Sequence, residues 1–211
     1  MKQLLSFIFS LGMVCLVGSA ALAWVNQTTA EPIRKAQQRA LESSLKLVLP
    51  AETATTEAMP ATTNTAGDVH FFRALDKDGR LVAYAAQATS TVSGFKGPVK
   101  VVVGLEKDGK VRAVMVTEHT ETPGLGTNAT DRSAVKSLWD VLAGKAKDDP
   151  FPPNEFLDSF AGMQASKGFE MDKGDPKNAV AHVSGATYSS RSVISAVDAI
   201  GEAFRQLKDA Q

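Results

Sequence analysis

Leu75-Asp76-Lys77-Asp78-Gly79-Arg80-Leu81-Val82-Ala83 and Leu105-Glu106-Lys107-Asp108-Gly109-Lys110-Val111-Arg112-Ala113 are built alike: an apolar run, an Asp-Gly corner and a second apolar run. Each Asp-Gly supplies the positive-φ turn positions that join antiparallel strands. The flanking segments 70–75, 81–88, 99–105 and 111–117 are rich in Val, Phe and Ala. They predict four strands of an antiparallel sheet. Asp76, Asp78 and Glu106 do not make a calcium loop, because no EF-hand-type loop closing on a Glu follows.

Downstream of the sheet, Glu118-His119-Thr120-Glu121-Thr122-Pro123-Gly124-Leu125-Gly126 places a Pro-Gly turn and paired glycines where backbone amides can approach a flat ligand. The alternative is a rigid loop between sheet and helix. His119 and Glu121 fall short of an acid/base pair or a metal site and read as solvated loop residues. Residues 131–145 carry Val135, Leu138, Trp139 and Leu142 at helical spacing. A short helix capped by Asn154 is expected to bury Phe156, Leu157 and Phe160. Residues 168–172 predict a strand and 172–178 a polar turn.

The chain then reaches Ser184-Gly185-Ala186-Thr187-Tyr188-Ser189-Ser190, and Val193, Ile194, Val197, Ile200, Phe204 and Leu207 follow at helical spacing. Thr187 is expected just ahead of this helix. Unpaired N–H groups and the positive end of the helix dipole favour a phosphate there, and Gly185 and Ala186 leave the backbone accessible. An ordinary Ser/Thr N-cap in a turn is the competing reading.

Upstream, residues 51–67 are almost entirely Thr, Ala, Glu and Pro, a composition that predicts a surface loop or tether and no core. Before it, Pro32 suits a first helical turn, and Ile33, Gln37, Ala40, Leu41, Leu45 and Val48 continue an amphipathic helix until Pro50. Residues 4–25 carry no charge; at ~1.5 Å per residue they would span roughly 33 Å, enough for a hydrocarbon core of ~30 Å. A retained anchor competes with a signal peptide cleaved after Ala23. Trp24, at interface depth, favours the anchor.

The 211 residues, 44% of them hydrophobic, suffice for one globular domain with accessory segments, and the formal net charge of +0 gives no footprint for nucleic acid. The single Cys15 excludes disulfides within the chain and any Cys-rich metal or cluster site. These readings divide the chain into an anchor (1–27), a juxtamembrane amphipathic helix (28–50), a low-complexity linker or loop (51–67) and a domain (68–211). The fold class is α+β: an antiparallel sheet of hairpins with packed helices, plus one N-terminal transmembrane helix.

The pair of motifs Ser184-Gly185-Ala186-Thr187 and Thr120-Glu121-Thr122-Pro123-Gly124-Leu125-Gly126, with Gly94-Phe95-Lys96-Gly97-Pro98 before the third strand, resembles the FMN-binding domain family. The resemblance implies FMN attached covalently through its phosphate to Thr187. It places Ser184, Gly185, Ala186, Tyr188, Glu121, Thr122, Gly124 and Leu125 around the cofactor, with no catalytic residue and no metal. With the anchor and its following helix, the arrangement resembles the G subunits of Rnf-type ion-translocating ferredoxin:NAD oxidoreductase complexes. The C subunits of sodium-translocating NADH:quinone reductases share it and are the alternative. A non-redox, anchored module binding a phosphate ligand is the reading from another class.

The resemblance implies an electron-transfer subunit of an oxidoreductase complex that is not an enzyme on its own. Its partners would be other membrane subunits of the complex, a flavin transferase for maturation and membrane lipid. The location implied is the bacterial inner membrane, single-pass, with the FMN domain on the periplasmic side. This chain departs from the family pattern at Ala181, where an Asp is usual three positions before the motif, and at Thr127-Asn128, where charged residues are usual.

Overall fold

The computed structural model describes residues 2–60, 62–64, 67–132, 151–171, 179–181 and 183–209. Its contacts divide the chain into two units, Met1–Glu42 and Ser43–Gln211.

The first unit belongs to a single helix, α1 (Lys2–Val48), which is long and apolar enough from Ser6 onward to cross a membrane. Pro32, expected to open a new helix, instead lies inside this one. The missing Pro N–H removes one intrahelical hydrogen bond without stopping the helix. Just before it, the Thr28 and Thr29 hydroxyls donate back to the Val25 carbonyl at 2.9 and 2.8 Å. Glu31 and Lys35 pair across one turn at 2.7 Å.

The second unit is built on an antiparallel sheet: β1 (Thr55–Ala58), β2 (Thr62–Asn64), β3 (Gly67–Leu75), β4 (Leu81–Thr89), β5 (Lys100–Glu106) and β6 (Val111–Glu118). The order is β1-β3-β4-β5-β6, with β2 also paired to β3. The four predicted strands are all present. Residues 51–67, whose composition suggests a loop or tether, contribute β1 and β2 along the edge. β-Branched Thr favours extended backbone, and an edge strand needs backbone partners more than a buried face. Every residue of β1 is accordingly exposed.

The hairpin corners differ in detail from the expectation. Gly79 and Gly109 adopt φ of 75° and 92°, but the preceding aspartates do not have positive φ. Each corner is a longer loop in which only the glycine needs the left-handed region. Asp76 Oδ1 accepts the Asp78 and Arg80 N–H groups, both at 2.8 Å, and so rigidifies the first corner.

Alternation along the strands places Val69 and Phe71 of β3, Tyr84, Ala86 and Ala88 of β4, and Val101, Val103 and Leu105 of β5 in one core. The final helix α4 (Thr187–Asp209) joins that core through Val193, Val197, Ile200 and Phe204. The Phe204 ring packs edge-on to Tyr84 at 5.4 Å and lies 6.3 Å from Phe71. Leu45, Val48 and Leu49, at the end of α1 and just beyond, are buried too. Val48 lies so close to Gly104 of β5 that a side chain on Gly104 would strike the Val48 backbone.

Between β6 and α4 run the short helices α2 (Thr127–Thr130) and α3 (Glu155–Asp158), a 3-10 turn (Ala165–Lys167) and the parallel pair β7 (Glu170–Met171) and β8 (Ala179–Val180). Asn154 caps α3 as predicted, its side chain accepting the Leu157 N–H at 3.0 Å. Phe156, Leu157 and Phe160 are buried. The helix expected through Val135, Leu138, Trp139 and Leu142, and the turn expected at 172–178, lie outside the described residues.

Candidate functional site

Three loops converge beside the N-terminus of α4. The first, between β4 and β5, is a turn held by a hydrogen bond from Gly94 N–H to the Gly97 carbonyl at 2.7 Å. It presents Phe95 with 68% of its surface exposed. Its base is tied to α4: Ser192 Oγ lies 2.8 Å from Ser90 Oγ, which accepts the Val99 N–H at 2.9 Å.

The second loop leaves β6. Thr122-Pro123-Gly124-Leu125 forms a turn closed by Leu125 N–H to the Thr122 carbonyl at 3.2 Å, with Gly124 at φ 77°. That φ in the third turn position is why a glycine stands after the proline. Thr127 and Asn128 fold back on this turn. Thr127 Oγ1 accepts the Gly124 N–H at 2.8 Å, and Asn128 Nδ2 donates to the Gly124 carbonyl at 3.1 Å. Side-chain hydrogen bonds thus fix the turn from both sides.

The third loop ends in Ser184-Gly185-Ala186. Gly185 takes φ 76°, and the Ala186 carbonyl accepts the Ser190 N–H at 2.8 Å, the first bond of α4. Thr187 is therefore the first residue of the helix rather than the residue ahead of it. The capping position belongs to Ala186, which has no side-chain oxygen. The first N–H groups of α4 lack both an intrahelical acceptor and an N-cap side chain.

Together the loops border a cleft of about 90 Å³ lined by Phe95, Glu121, Thr122, Leu125, Gly126, Gly185, Ala186, Tyr188 and Ser189. Of the residues anticipated from sequence, Glu121, Thr122, Leu125, Gly185, Ala186 and Tyr188 meet in this wall. Ser184, Thr187 and Gly124 adjoin it in the chain without lining it. Thr187 is half-buried between two lining residues. Gly126, one of the paired glycines expected to approach a flat ligand, also lines the wall; Phe95 and Ser189 complete it without having been anticipated as lining residues, the Gly-aromatic-x-Gly-Pro spacing at 94–98 being the available signal for Phe95.

Glu121 is not the solvated loop residue its sequence context implies. Only 7% of its surface is exposed. Oε1 accepts the Phe95 N–H at 2.9 Å, while Oε2 is buried without a hydrogen-bond partner. The Thr122 hydroxyl is likewise buried and unpartnered. His119 is engaged on both ring nitrogens: Nδ1 accepts the Glu121 N–H at 3.3 Å, and Nε2 lies 2.6 Å from Asp131 Oδ1. Among the described residues, no group of three or more His, Cys, Asp or Glu side chains is placed to hold a metal ion.

The cleft suits a ligand with an anionic group and a flat apolar body. The anion would meet the open helix end, and the body would meet Phe95, Leu125 and Tyr188. The buried unpartnered oxygens of Glu121 and Thr122 await a polar edge.

The family profile described as FMN-binding domain matches residues 94–201, just over half of the chain. The chain is 26% identical over 217 residues to the G subunit of the Na(+)-translocating ferredoxin:NAD(+) oxidoreductase complex of Acetobacterium woodii, covering 95% of this chain and 93% of that one. It is 34% identical over 128 residues to the G subunit of the ion-translocating oxidoreductase complex of Haemophilus influenzae, 58% of each chain. Among solved structures, NqrC of Shewanella oneidensis aligns over 75% of this chain and 72% of that one at 21% identity with a TM-score of 0.47, a likeness too slight to bear on function. With its glycine-bounded cleft and the Ser-Gly-Ala-Thr entry to α4 both inside the matched region, the chain belongs to the FMN-binding domain family.

Proposed function

We propose that this protein is a membrane-anchored flavoprotein subunit that carries FMN on Thr187 and relays electrons within an Rnf-type ion-translocating oxidoreductase complex. The observation that carries the reading is the single cleft joining the open end of α4 to the buried, unpartnered oxygens of Glu121 and Thr122. Relatives named as G subunits of ion-translocating oxidoreductase complexes support the assignment to such a complex.

The residues present fit FMN. The Thr187 hydroxyl is the acceptor for a phosphoester, and the N–H groups of the first turn of α4 receive the remaining phosphate oxygens. Gly185, with φ 76°, leaves room beside Leu125 for that group to approach. Phe95, Leu125 and Tyr188 supply apolar surface that shields a ring from water. Glu121, Thr122 and the fixed turn at Gly124 define its polar edge. When bound, FMN supplies one- and two-electron redox chemistry at the ring, with the phosphate link leaving the ring untouched. No group in the cleft is required to act on an organic substrate.

The apolar segment of α1 is the anchor, and we place residues 68–211 on the periplasmic face, where a flavin transferase would load the cofactor. The partners are then membrane lipid and the neighbouring redox subunits of the complex.

The reading is tested by the visible spectrum of the full chain, purified in detergent after production with a flavin transferase. A flavin spectrum bleached by dithionite is the expected result. Colourless protein, with transferase activity verified on a known substrate, would overturn it.

A further inference from the structure

Glu121 does two things at once. Oε1 fixes the backbone of the Phe95 loop through the Phe95 N–H at 2.9 Å, while Oε2, in the same carboxyl group, has no partner although it is buried. The carboxyl group is wedged in place. A Cβ on Gly94 would collide with Oε1, and a Cβ on Gly126 would collide with Oε2. Both positions are glycine, so the carboxyl group occupies space that any other residue would take. Leaving a buried acceptor unpaired is costly, a cost that a ligand donor at this wall would remove.

Phe95 is fixed by the same arrangement. The Thr120 hydroxyl donates to the Lys96 carbonyl at 3.1 Å, and Gly94 to Gly97 closes the turn. The aromatic side chain nevertheless remains largely exposed at the cleft. A Phe left in water on a stiffened backbone presents its ring to an incoming flat molecule at little further entropic cost.

We propose that Glu121 is the specificity-determining residue of the cleft, its Oε1 setting the position of Phe95 and its Oε2 accepting an N–H from the edge of the flat ring that Phe95 covers. The inference rests on reading the cleft as a flavin seat, and the flavin ring system meets the requirement with an imide N–H on its pyrimidine edge. One carboxyl group thereby couples recognition of the ring edge to shielding of the ring face.

The test uses the full chain produced with a flavin transferase, comparing wild type, Glu121→Gln, Phe95→Ala and the double variant. The readouts are the flavin visible band and quenching of its emission by iodide. Glu121→Gln keeps an oxygen able to accept the Phe95 N–H but turns an amide donor toward the ring N–H. It should shift the visible band and raise iodide quenching several-fold. Phe95→Ala, at an exposed position that does not threaten folding, should raise quenching similarly, and the double variant should add little to either single change. Unchanged quenching in Phe95→Ala, an unchanged band in folded Glu121→Gln, or simple additivity of the two would overturn the proposal while the flavin reading stands. Wild-type protein with no flavin would overturn both.

Discussion

Asp198 is the residue whose ionisation the fold opposes most clearly. Burial pushes its carboxyl group up from 3.8 to about 6, although the Phe169 N–H donates to Oδ1 at 2.9 Å and acts in the opposite direction. The folded state thus binds this proton more tightly than the unfolded chain does. Below the unfolded value both states are protonated and nothing is lost; between about 4 and 6 the penalty grows, and above 6 it is complete. Asp198→Asn retains an acceptor for Phe169 and removes the charge. It should stabilise the protein by about 1 kcal/mol at pH 8, the figure being reduced because part of the group meets solvent, and by nothing near pH 3.5. Urea unfolding midpoints of the two proteins at both pH values check this, and an equal gain at both would assign the effect to something other than ionisation.

The residue scale is also where the sequence is least legible. Glu121 reads as solvated because it stands among polar residues in a loop, and its burial depends on a hydrogen bond to a residue 26 positions away. Phe95 and Ser189 escape notice as wall residues for the same reason. Their role exists only where separate loops meet, and neither periodicity nor turn chemistry reports such a meeting. Gly185 and Ala186 are legible as a turn leading into a helix because turn and helix start are local events.

At the scale of elements, the sheet and the last helix are legible and their supports are not. Alternating apolar residues around Asp-Gly corners define β3 to β6, and a 3.6-residue period defines α4. Arg132 carries no such signal, yet its side chain is only 3% exposed and bridges three segments. Nε and one terminal nitrogen donate to the Val114 carbonyl of β6 at 3.2 and 3.0 Å. The other terminal nitrogen reaches the Pro152 carbonyl at 3.1 Å and Asp158 of α3 at 2.7 Å. Its guanidinium also stacks on Phe151 at 3.8 Å. Arg132→Ala leaves the carbonyl of buried Val114 without its two donors and should cost about 3 kcal/mol, read as a lowered chemical-denaturation midpoint. Arg132→Lys should recover only part of this, since an ammonium cannot span the same acceptors. A loss within a few tenths of a kcal/mol in the Ala variant would show that the bridge is not structural.

At the scale of the whole molecule, the proposed anchor in the apolar first part of α1 would lie in lipid and the sheet domain in water. The proposed topology puts the tip of the β3–β4 hairpin outside the cytoplasm. Asp78 lies at that tip with an exposed side chain. With Cys15 replaced by Ser, an Asp78→Cys variant should react with a membrane-impermeant maleimide on cells whose outer membrane has been permeabilised and whose inner membrane is intact. Labelling only after the inner membrane is broken would reverse the orientation.

The central claim is that Thr187, at the open end of α4, carries the flavin. The direct measurement compares wild type and Thr187→Ala, both produced with a flavin transferase, for flavin fluorescence that survives denaturing electrophoresis and for the mass of the peptide spanning residues 184–191. Wild type should show the fluorescent band and a peptide heavier by one FMN less water. Thr187→Ala should lose both while remaining folded, because Thr187 is the first residue of α4 and not its cap, and Ala is well tolerated in a helix. Covalent flavin persisting on denatured Thr187→Ala protein would contradict the account and move the attachment to another hydroxyl.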